Sequence, residues 1–307
     1  KRCCMIAPDE ASEPQLSLLT LDALHQVSYR EAGLILLPEK VRMVQSRLRF
    51  RLKETGLDTF EAYLALVGSD AGVNERRMMI SALTTNVSHF FREPHHFDIL
   101  TNEVLPRAQS RLKSGGRFRI WSAGCSNGQE AFSIVMHLLD KDPSLQDKDF
   151  RILATDIDPK VIAFARSATY PERMTDNIPE DLRKRFMQPT RLKDQPAHQM
   201  ADKLRNLVRF KELNLMSAWP MRQAFDAVFC RNVVIYFDAP TQDALWPRFH
   251  DALLPDGMLF LGHSERVSNP EKLGFSVTGP TTYTKIRSRK INTSILQAGQ
   301  GITHGTS

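Results

Sequence analysis

The sequence has no hydrophobic run long enough to cross a membrane. Its longest apolar stretches, such as Leu34–Leu37, are the size of a core segment, whereas a membrane helix needs about 18 consecutive apolar residues. The N-terminus begins Lys1-Arg2-Cys3-Cys4-Met5 and then turns polar, without the apolar segment of a secretory signal. Residue 1 is not methionine, so the sequence leaves the native start open. We expect no direct membrane insertion.

Cysteine is also scarce. The four cysteines, at positions 3, 4, 125 and 230, show no CxxC spacing, and the sequence therefore predicts no zinc site. So few cysteines in a chain of 307 residues are typical of the reducing cytoplasm, where we expect this protein to act. We predict that Cys125 and Cys230 are buried core residues.

Neither sign of charge dominates the composition, but the small excess of positive charge is concentrated in one segment. Lys and Arg total 41 against 35 Asp and Glu, a net charge of +6 in a composition ordinary for soluble globular proteins. Residues 38–53, the basic segment, carry +5 of it: one acid, Glu39, and the six bases Lys40, Arg42, Arg47, Arg49, Arg51 and Lys53. This segment predicts an anionic partner, and by itself leaves nucleic acid, membrane and acidic protein open.

The first part of the chain has helical periodicity. Apolar residues recur at helical spacing from Ser17 to about Leu83, which predicts a small all-helical domain over residues 17–90 after a flexible tail over 1–16. One of its helices carries an apolar stripe and ends at Gly56. The stripe consists of Val41, Val44, Leu48 and Leu52.

The rest of the chain alternates strands with helices, which predicts a mainly parallel α/β sheet over residues 91–288. We predict strands at 117–121, 150–155, 225–230, 258–262, 275–277 and 282–286. We predict helices at 131–139, 159–167 and 241–254. A polar, proline-bearing stretch over about 170–208 reads as an insertion, and residues 289–307 have the composition of a disordered tail.

A loop of small residues, 122–128, lies between the first predicted strand and its helix. Gly124 and Gly128 are four positions apart, so the loop lacks both GxGxxG and a P-loop. The next strand ends at Asp156, which is placed to accept hydrogen bonds from ribose hydroxyls. A glycine loop and an acidic strand end suit a nucleoside without phosphate, such as S-adenosylmethionine. An ordinary tight turn with a solvated aspartate is the alternative.

Five segments carry distinctive motifs. They are Ala82–Glu93, Trp121–Ser133, Ala154–Asp158, Phe229–Asp238 and Gly262–Glu265. In order and spacing they resemble the TTN…FFRE, WSAGCSTGEEPYS, ATDID, CRNVxIYF and GHSE patterns of the CheR family of chemotaxis-receptor methyltransferases. The resemblance implies an N-terminal all-α helical domain, then a class I S-adenosylmethionine-dependent methyltransferase (Rossmann-like) domain with a small antiparallel β insertion.

The resemblance also implies an activity: methyl transfer from S-adenosylmethionine to glutamate side chains on the cytoplasmic helices of chemotaxis receptors, for sensory adaptation and without a metal. The implied catalytic residues are Arg92, which would orient the glutamate carboxylate, and Tyr236, which would assist. Such an attack needs positioning more than a base. Asp156 would take the ribose, and Asn214 and Leu215 would flank the adenine. The implied cofactor-binding residues are Asn86, Ser88, Arg92, Gly124, Glu130, Asp156, Asn214, Leu215, Arg231 and Asn232.

Two other functions compete with this one. A methyltransferase of another substrate would keep the fold and the cofactor. The Asn-Pro-Pro-Tyr motif of nucleic-acid methyltransferases is absent, with Arg231-Asn232-Val233 in its place, which argues against a nucleic-acid partner. A non-catalytic binding module is disfavoured because Arg92, Asp156, Arg231 and Tyr236 are all present. The spacing of His95, His96 and His263 matches no common metal site, so we expect packing or hydrogen-bonding roles.

The sequence departs from the family pattern in a few places. Gln129 replaces a glutamate, Ala131-Phe132 replaces Pro-Tyr and Ser88 replaces a threonine, and none of these removes a residue that the chemistry needs. Residues 129–256 contain no glycine. Family members whose insertion binds a receptor's C-terminal peptide by strand addition usually have glycine-bearing turns there, so peptide tethering is disfavoured.

The resemblance gives the basic segment a partner. A glutamate-rich receptor helix is an acidic surface, so we predict that the basic segment is a helix that docks on the receptor. The predicted docking residues are Lys40, Arg42, Arg47, Arg49, Arg51 and Lys53, on the two flanks of the apolar stripe. We expect a monomer.

Overall fold

The computed structural model describes residues 14–287 of the chain. The predicted tail over 1–16 lies outside these residues except for its last three, and the predicted tail over 289–307 lies outside them entirely. No helix within residues 14–287 is both long and apolar enough to cross a membrane.

Four helices form the N-terminal part of the described chain, as the periodicity predicts. They are α1 (Leu18–Ala32), α2 (Val41–Thr55), α3 (Phe60–Gly68) and α4 (Val73–Leu83). The Ser17 hydroxyl caps α1 by accepting a hydrogen bond from the Thr20 N–H. Gly56 ends α2 with φ at 68°, a left-handed conformation that favours glycine.

A seven-stranded sheet follows, with strand order β6-β2-β1-β7-β8-β10-β9. Its neighbours from β6 to β8 pair in parallel and β10 runs antiparallel between β8 and β9. This doubly wound order confirms the predicted α/β class. The strands of the described chain are β1 (Phe118–Ala123), β2 (Phe150–Asp156), β3 (Thr169–Pro171), β4 (Met187–Leu192), β5 (Gln195–Met200), β6 (Val208–Glu212), β7 (Phe225–Cys230), β8 (Leu253–Leu261), β9 (Phe275–Gly279) and β10 (Thr282–Lys285).

Helices cover both faces of this sheet. Besides the first four they are α5 (His95–Ile99), α6 (Leu105–Lys113), α7 (Gln129–Lys141), α8 (Pro159–Ser167), α9 (Glu180–Phe186), α10 (Asp202–Arg205) and α11 (Ala239–Ala252). Successive residues of a strand point to opposite faces. Ile120 therefore packs in one apolar cluster with helices α5 to α10, while Trp121 packs in a second with α1 to α4 and α11. The N-terminal helices thus share a core with the sheet.

Several predicted boundaries need correction. β6 was not predicted as a strand: it is an edge strand that buries only Val208 and Phe210, so its apolar signal is weak. α5 and α6, joined by a π-helical turn at Leu100–Val104, were not predicted either. The predicted helix over 241–254 ends at Ala252, and β8, predicted from 258, already begins at Leu253.

The insertion is a three-stranded antiparallel sheet of order β3-β5-β4, as the resemblance implies. Its β4–β5 hairpin turns at Lys193 and Asp194, with φ at 48° and 61°. Left-handed residues in such a turn are usually glycine or asparagine, so this hairpin forms without the expected glycine. The absence of peptide tethering stays a prediction.

Candidate active site

One cleft opens at the carboxyl ends of β1, β2 and β7, where ligands bind in doubly wound sheets. Its volume is about 990 Å³, counting the space open to solvent at its mouth. All eleven residues predicted to bind the cofactor or to act in catalysis line it. They are Asn86, Ser88, Arg92, Gly124, Glu130, Asp156, Asn214, Leu215, Arg231, Asn232 and Tyr236.

Asp156 is the buried carboxylate at the end of β2. Its two oxygens accept hydrogen bonds from the main-chain N–H groups of Ser126 (2.8 Å) and Asp158 (3.0 Å). Burial raises the pKa of Asp156 to about 6, although those N–H groups act in the opposite direction. Each oxygen keeps a lone pair for a further donor, so the carboxylate is suited to ribose hydroxyls.

Gly124 lies where the loop after β1 packs against the loop after β7. Its φ is 79°, and a Cβ atom there would lie 2.2 Å from Cγ2 of Val233. The N–H groups of Gly124 and Cys125 both donate to the Thr155 carbonyl oxygen (2.8 and 2.9 Å), which ties the loop after β1 to β2. Only glycine fits this conformation and this spacing.

The segment 84–93 covers one side of the cleft. Asn86 donates from Nδ2 to Asp158 Oδ2 (2.8 Å), and its carbonyl oxygen accepts from the Ser126 hydroxyl (3.0 Å). Phe91 and Glu93 both have positive φ, at 53° and 56°. This bend leaves Arg92 between them on the cleft wall, with 29% of its side chain exposed.

Arg231 is a buried cation between two carboxylates. Its guanidinium lies 3.4 Å from Glu93 Oε2 and 3.4 Å from Glu130 Oε2, and it donates to the Arg92 carbonyl oxygen (2.5 Å). Glu130 also accepts from the Ser122 hydroxyl (2.6 Å). Burial raises the pKa of Glu130, while Arg231 opposes that change. The cation therefore holds the end of β7 against α7 and the Arg92 loop.

Asn214 is at the cleft, but its side chain is engaged elsewhere. Its Nδ2 donates to the Glu31 carbonyl oxygen (2.6 Å) and its Oδ1 accepts from the Met216 N–H (2.9 Å). The side chain therefore joins the end of α1 to the loop after β6. A ligand at this position would meet the main chain of Asn214 and the buried Leu215.

Comparison with known proteins identifies the family. The family model described as "CheR methyltransferase, all-alpha domain" matches residues 20–84, and the one described as "CheR methyltransferase, SAM binding domain" matches residues 86–283. The chain belongs to the CheR methyltransferase family. It is thus an S-adenosylmethionine-dependent methyltransferase, and the glycine loop and Asp156 fit that cofactor.

Relatives agree over most of their length. A "Probable chemotaxis protein methyltransferase" of Rhizobium etli is 46% identical over 255 residues, which are 83% of this chain and 95% of that protein. The "Chemotaxis protein methyltransferase" of Escherichia coli is 38% identical over 262 residues, 85% of this chain and 88% of that one. The "Chemotaxis protein methyltransferase 2" of Pseudomonas aeruginosa is 38% identical over 256 residues, 83% of this chain and 89% of that one.

The structure adds cleft residues that the sequence analysis missed in this CheR chain. Ala32 and Leu34, at the end of α1 and just after it, bring the helical part into the cofactor cleft. Ile157, Leu213 and Phe237 contribute apolar surface. Ile157 could have been predicted as a cleft residue, because it directly follows Asp156 in the sequence. Nothing in the sequence places residues 32 and 34 next to a strand more than a hundred positions away.

The histidines after Arg92 form a cluster in this CheR fold. Glu93, His95 and His96 hold potential ligand atoms within 4.8 Å of one another. The guanidinium of Arg231, 3.4 Å from Glu93 Oε2, already neutralises that carboxylate and repels a metal cation. Burial, with Arg231 nearby, lowers the pKa of His96 to about 3, and its Nε2 lies 3.1 Å from Thr281 Oγ1. These contacts support the predicted packing and hydrogen-bonding role for His96, and the ring of His95 packs 4.2 Å from the His96 ring, centre to centre.

The structure corrects the predicted docking set of the basic segment. Lys40, Arg42 and Lys53 are exposed and Arg49 is half-buried. Arg51 is buried, at 7% exposure, and forms a two-bond ion pair with Glu75 of α4 at 2.9 and 2.6 Å. It is therefore a core ion pair and offers no charge to a receptor.

Arg47 is also turned inward. Its guanidinium donates to the carbonyl oxygens of Leu83 (2.6 Å) and Thr84 (3.1 Å) and to the Thr85 hydroxyl (2.9 Å). These three groups lead directly into the cleft segment at Asn86. The helical wheel placed Arg47 and Arg51 on a flank of the stripe, and the flank faces α4 and the loop after it.

Proposed function

We propose that this chain is a protein-glutamate O-methyltransferase that esterifies glutamate side chains on the cytoplasmic helical domain of chemotaxis receptors. The observation that carries the proposal is a guanidinium and a phenol, Arg92 and Tyr236, on the wall of the same cleft as Asp156 and Gly124. The names of the curated relatives support a chemotaxis substrate. The scarcity of cysteine supports a cytoplasmic setting.

The proposed chemistry needs little beyond positioning. S-adenosylmethionine supplies an electrophilic methyl group on a sulfonium leaving group. A glutamate carboxylate is already ionised and nucleophilic at neutral pH, so no general base is required. Arg92 would hold one carboxylate oxygen while the other attacks, and its partial exposure gives a receptor side chain access to it. Tyr236 would orient the same carboxylate through its hydroxyl.

The remaining cleft residues would hold the cofactor. We assign the ribose hydroxyls to Asp156 and the adenine to the main chain of Asn214 and to Leu215, because the Asn214 side chain is already engaged. Gly124 would admit the cofactor close to the main chain. Asn86, Ser88, Glu130, Arg231 and Asn232 would surround the methionine end, where Arg231 and Glu130 offer one charge of each sign.

Receptor docking would use a smaller set of residues than the whole basic segment. The exposed cations are Lys40, which caps α2 at its start, and Arg42 and Lys53 within the helix. Met43 and Phe50 add apolar surface, with 36% and 55% exposure. Lys160 of α8 lies 5.7 Å from the centre of the Phe50 ring and extends the basic surface toward the sheet. A receptor helix that is acidic along one side and apolar along another would match this face.

Tritium transfer from S-adenosyl-[methyl-³H]methionine to receptor-containing membranes tests the proposal. A glutamyl methyl ester releases volatile tritiated methanol when it is treated with base, so we expect base-labile label on the receptor. Base-stable label would indicate transfer to another group and would exclude the proposed activity. Receptor in which the methylated glutamates are changed to alanine is the matched control and should stay unlabelled.

The role of Arg92 needs a separate measurement. We expect Arg92→Ala to slow methyl transfer in a single turnover at saturating cofactor by about a hundredfold, since orientation of the two reactants is lost. The matched control is Arg222→Ala, an exposed arginine that does not line the cleft. A wild-type rate for Arg92→Ala would remove the orienting role while leaving the activity itself in place.

A further inference from the structure

Glu265 is a buried carboxylate that binds the loop after β7 from outside the cleft. Its exposure is 3%, and it is absent from the residues that line the cleft. Its Oε2 accepts from the main-chain N–H groups of Gly262 (2.6 Å) and Asn232 (2.9 Å). Its Oε1 accepts from those of Val233 (2.8 Å) and Ile235 (3.3 Å). Three of the four donors belong to the loop after β7.

The approach of this carboxylate depends on glycine at position 262. A Cβ atom on Gly262 would lie 2.6 Å from Asn232 Nδ2 and 2.8 Å from Glu265 Oε2. Such distances are far inside van der Waals contact, so a larger residue would push the end of β8 and the loop apart. The Glu265 N–H donates to the Gly262 carbonyl oxygen (2.9 Å), which closes the turn that aims the side chain at the loop.

The loop after β7 needs partners for its main-chain N–H groups. Asn232 has φ at 58°, a left-handed conformation that asparagine adopts more readily than most residues other than glycine. Its N–H groups at 232, 233 and 235 would otherwise lack partners, since a loop after a strand has no neighbouring strand to bond. A single ionised carboxylate satisfies all three through charge-assisted bonds.

The same loop also carries residues that line the cleft. Asn232, Val233 and Tyr236 line the cleft, and Val233 is the residue that fills the space beside Gly124. Tyr236 follows the last of the bonded N–H groups by one residue. A shift of the loop would therefore move the Tyr236 hydroxyl and the Asn232 amide together.

We propose that Glu265 is a positioning residue for methyl transfer: its carboxylate fixes residues 232–235 and thereby aligns Asn232 with the cofactor and Tyr236 with the glutamate to be methylated. It acts through the loop and touches neither reactant. The inference rests on the proposed function for its catalytic part. Its structural part, the anchoring of the loop in a cofactor-binding conformation, does not depend on which substrate receives the methyl group.

Glu265→Gln tests the proposal, because the side chain keeps its shape but loses its charge and turns one acceptor into a donor that opposes N–H groups. The matched control is Glu271→Gln, an exposed glutamate that, like Glu265, precedes β9 in the chain. We expect faster amide hydrogen exchange at 232–235 and about tenfold weaker binding of S-adenosylhomocysteine in the test variant only. These two readouts need no receptor.

The third readout is the single-turnover rate per bound cofactor, which a loss of folded protein alone would not change. We expect Glu265→Gln to lower this rate about ten- to a hundredfold in the wild-type background. In a protein that already carries Tyr236→Phe, the same substitution should lower the rate by a smaller factor. A wild-type rate per bound cofactor, or an equal factor in both backgrounds, would overturn the positioning role. If Glu265→Gln does not fold, Glu265→Asp, which keeps the charge but is shorter, takes its place.

The two proposals can fail separately. If the wild-type chain forms no ester on receptors, the proposed function is wrong, while exchange and S-adenosylhomocysteine binding still decide whether Glu265 anchors the loop. If the wild type is active and Glu265→Gln exchanges and binds as the wild type does, the anchoring inference is wrong and the function stands.

Discussion

The guanidinium of Arg47 lies 2.6 Å from the carbonyl oxygen of Leu83 and 3.1 Å from that of Thr84. The first oxygen belongs to the last residue of α4 and the second to the residue that caps it. A helix end leaves such carbonyls without intrahelical partners, so the cation satisfies them and fixes the direction of the chain as it enters the cleft. A charge on the predicted docking helix thus supports the cofactor site.

Arg47→Ala should therefore weaken cofactor binding. Loss of three hydrogen bonds from a charged group frees the segment that carries Asn86 and Ser88, and we expect S-adenosylhomocysteine to bind about tenfold more weakly by calorimetry. Arg42→Ala removes the same charge from an exposed position of the same helix and serves as control. Equal affinities of the two variants would contradict the role assigned to Arg47.

Arg51→Ala should act on stability instead. It leaves the Glu75 carboxylate, only 12% of whose side chain is exposed, without its cation, and the Tyr63 hydroxyl, 2.7 Å from Glu75 Oε1, does not replace the lost charge. Removing one member of a buried ion pair costs about 3 kcal/mol in free energy of unfolding, measurable in urea. Lys53→Ala, exposed on the same helix, should change it by less than about 0.5 kcal/mol. A small effect of Arg51→Ala would show that water reaches Glu75.

Reversal of the exposed charges on α2 should weaken receptor methylation. Arg42→Glu with Lys53→Glu changes a basic face to an acidic one, and we expect receptor KM to rise at least about tenfold at low salt, less at high salt, because ions screen exposed charges. Arg222→Glu with Lys272→Glu makes the same change in charge at exposed positions outside α2. Cofactor affinity should hold in both double variants. If both raised KM equally, the effect would come from net charge and not from this face.

Gly124→Ala should disrupt the cleft in two ways: the new side chain clashes with a neighbour, and alanine disfavours the left-handed main-chain conformation. The new Cβ would lie 2.2 Å from Val233 Cγ2, whereas Gly115, with a similar φ of 76°, has no atom within 4 Å of such a Cβ. Gly115→Ala thus measures the backbone cost, about 1 kcal/mol, and Gly124→Ala should cost about 2 kcal/mol more and lose S-adenosylhomocysteine binding. Val233→Ala should restore part of the loss in Gly124→Ala. No restoration would show that the backbone cost dominates.

Cofactor binding should weaken in mild acid through Asp156, whose pKa burial raises to about 6. If the ionised carboxylate binds the ribose, about a tenth of it remains at pH 5, and affinity for S-adenosylhomocysteine falls about tenfold from its neutral value. Stability responds in the opposite direction. A folded pKa above the unfolded one means that protonation favours the folded state, so this contribution is complete below about pH 4 and is lost as the pH rises through 6.

Asp156→Asn separates this group from the other titrating groups. The variant should bind the cofactor weakly at every pH and should lose the wild-type difference between about pH 5 and pH 7 in both affinity and free energy of unfolding. Calorimetric titration and urea unfolding at the two pH values supply the numbers. An unchanged pH dependence in the variant would assign it to another group.

Local sequence patterns predict the order of the main elements and the chemistry of the cleft. Apolar periods of two and 3.6 residues reflect which side chains are buried, and they are local, so β2, β7 and α8 follow from them within a residue or two. Motif residues at strand ends converge because parallel strands end at one edge of the sheet. That is why eleven residues spread from Asn86 to Tyr236 could be assigned to one cleft.

Which charges face water depends on how distant elements pack, and the sequence patterns do not predict it. A helical wheel separates the stripe of Val44 and Leu48 from its flanks. It does not show that Arg51, on one flank, forms an ion pair with Glu75, 24 residues away. The same holds for Glu265, which reaches Asn232 across 33 residues. Burial of an ion pair or of an anchoring carboxylate depends on the packing of distant elements, and local sequence patterns do not carry that information.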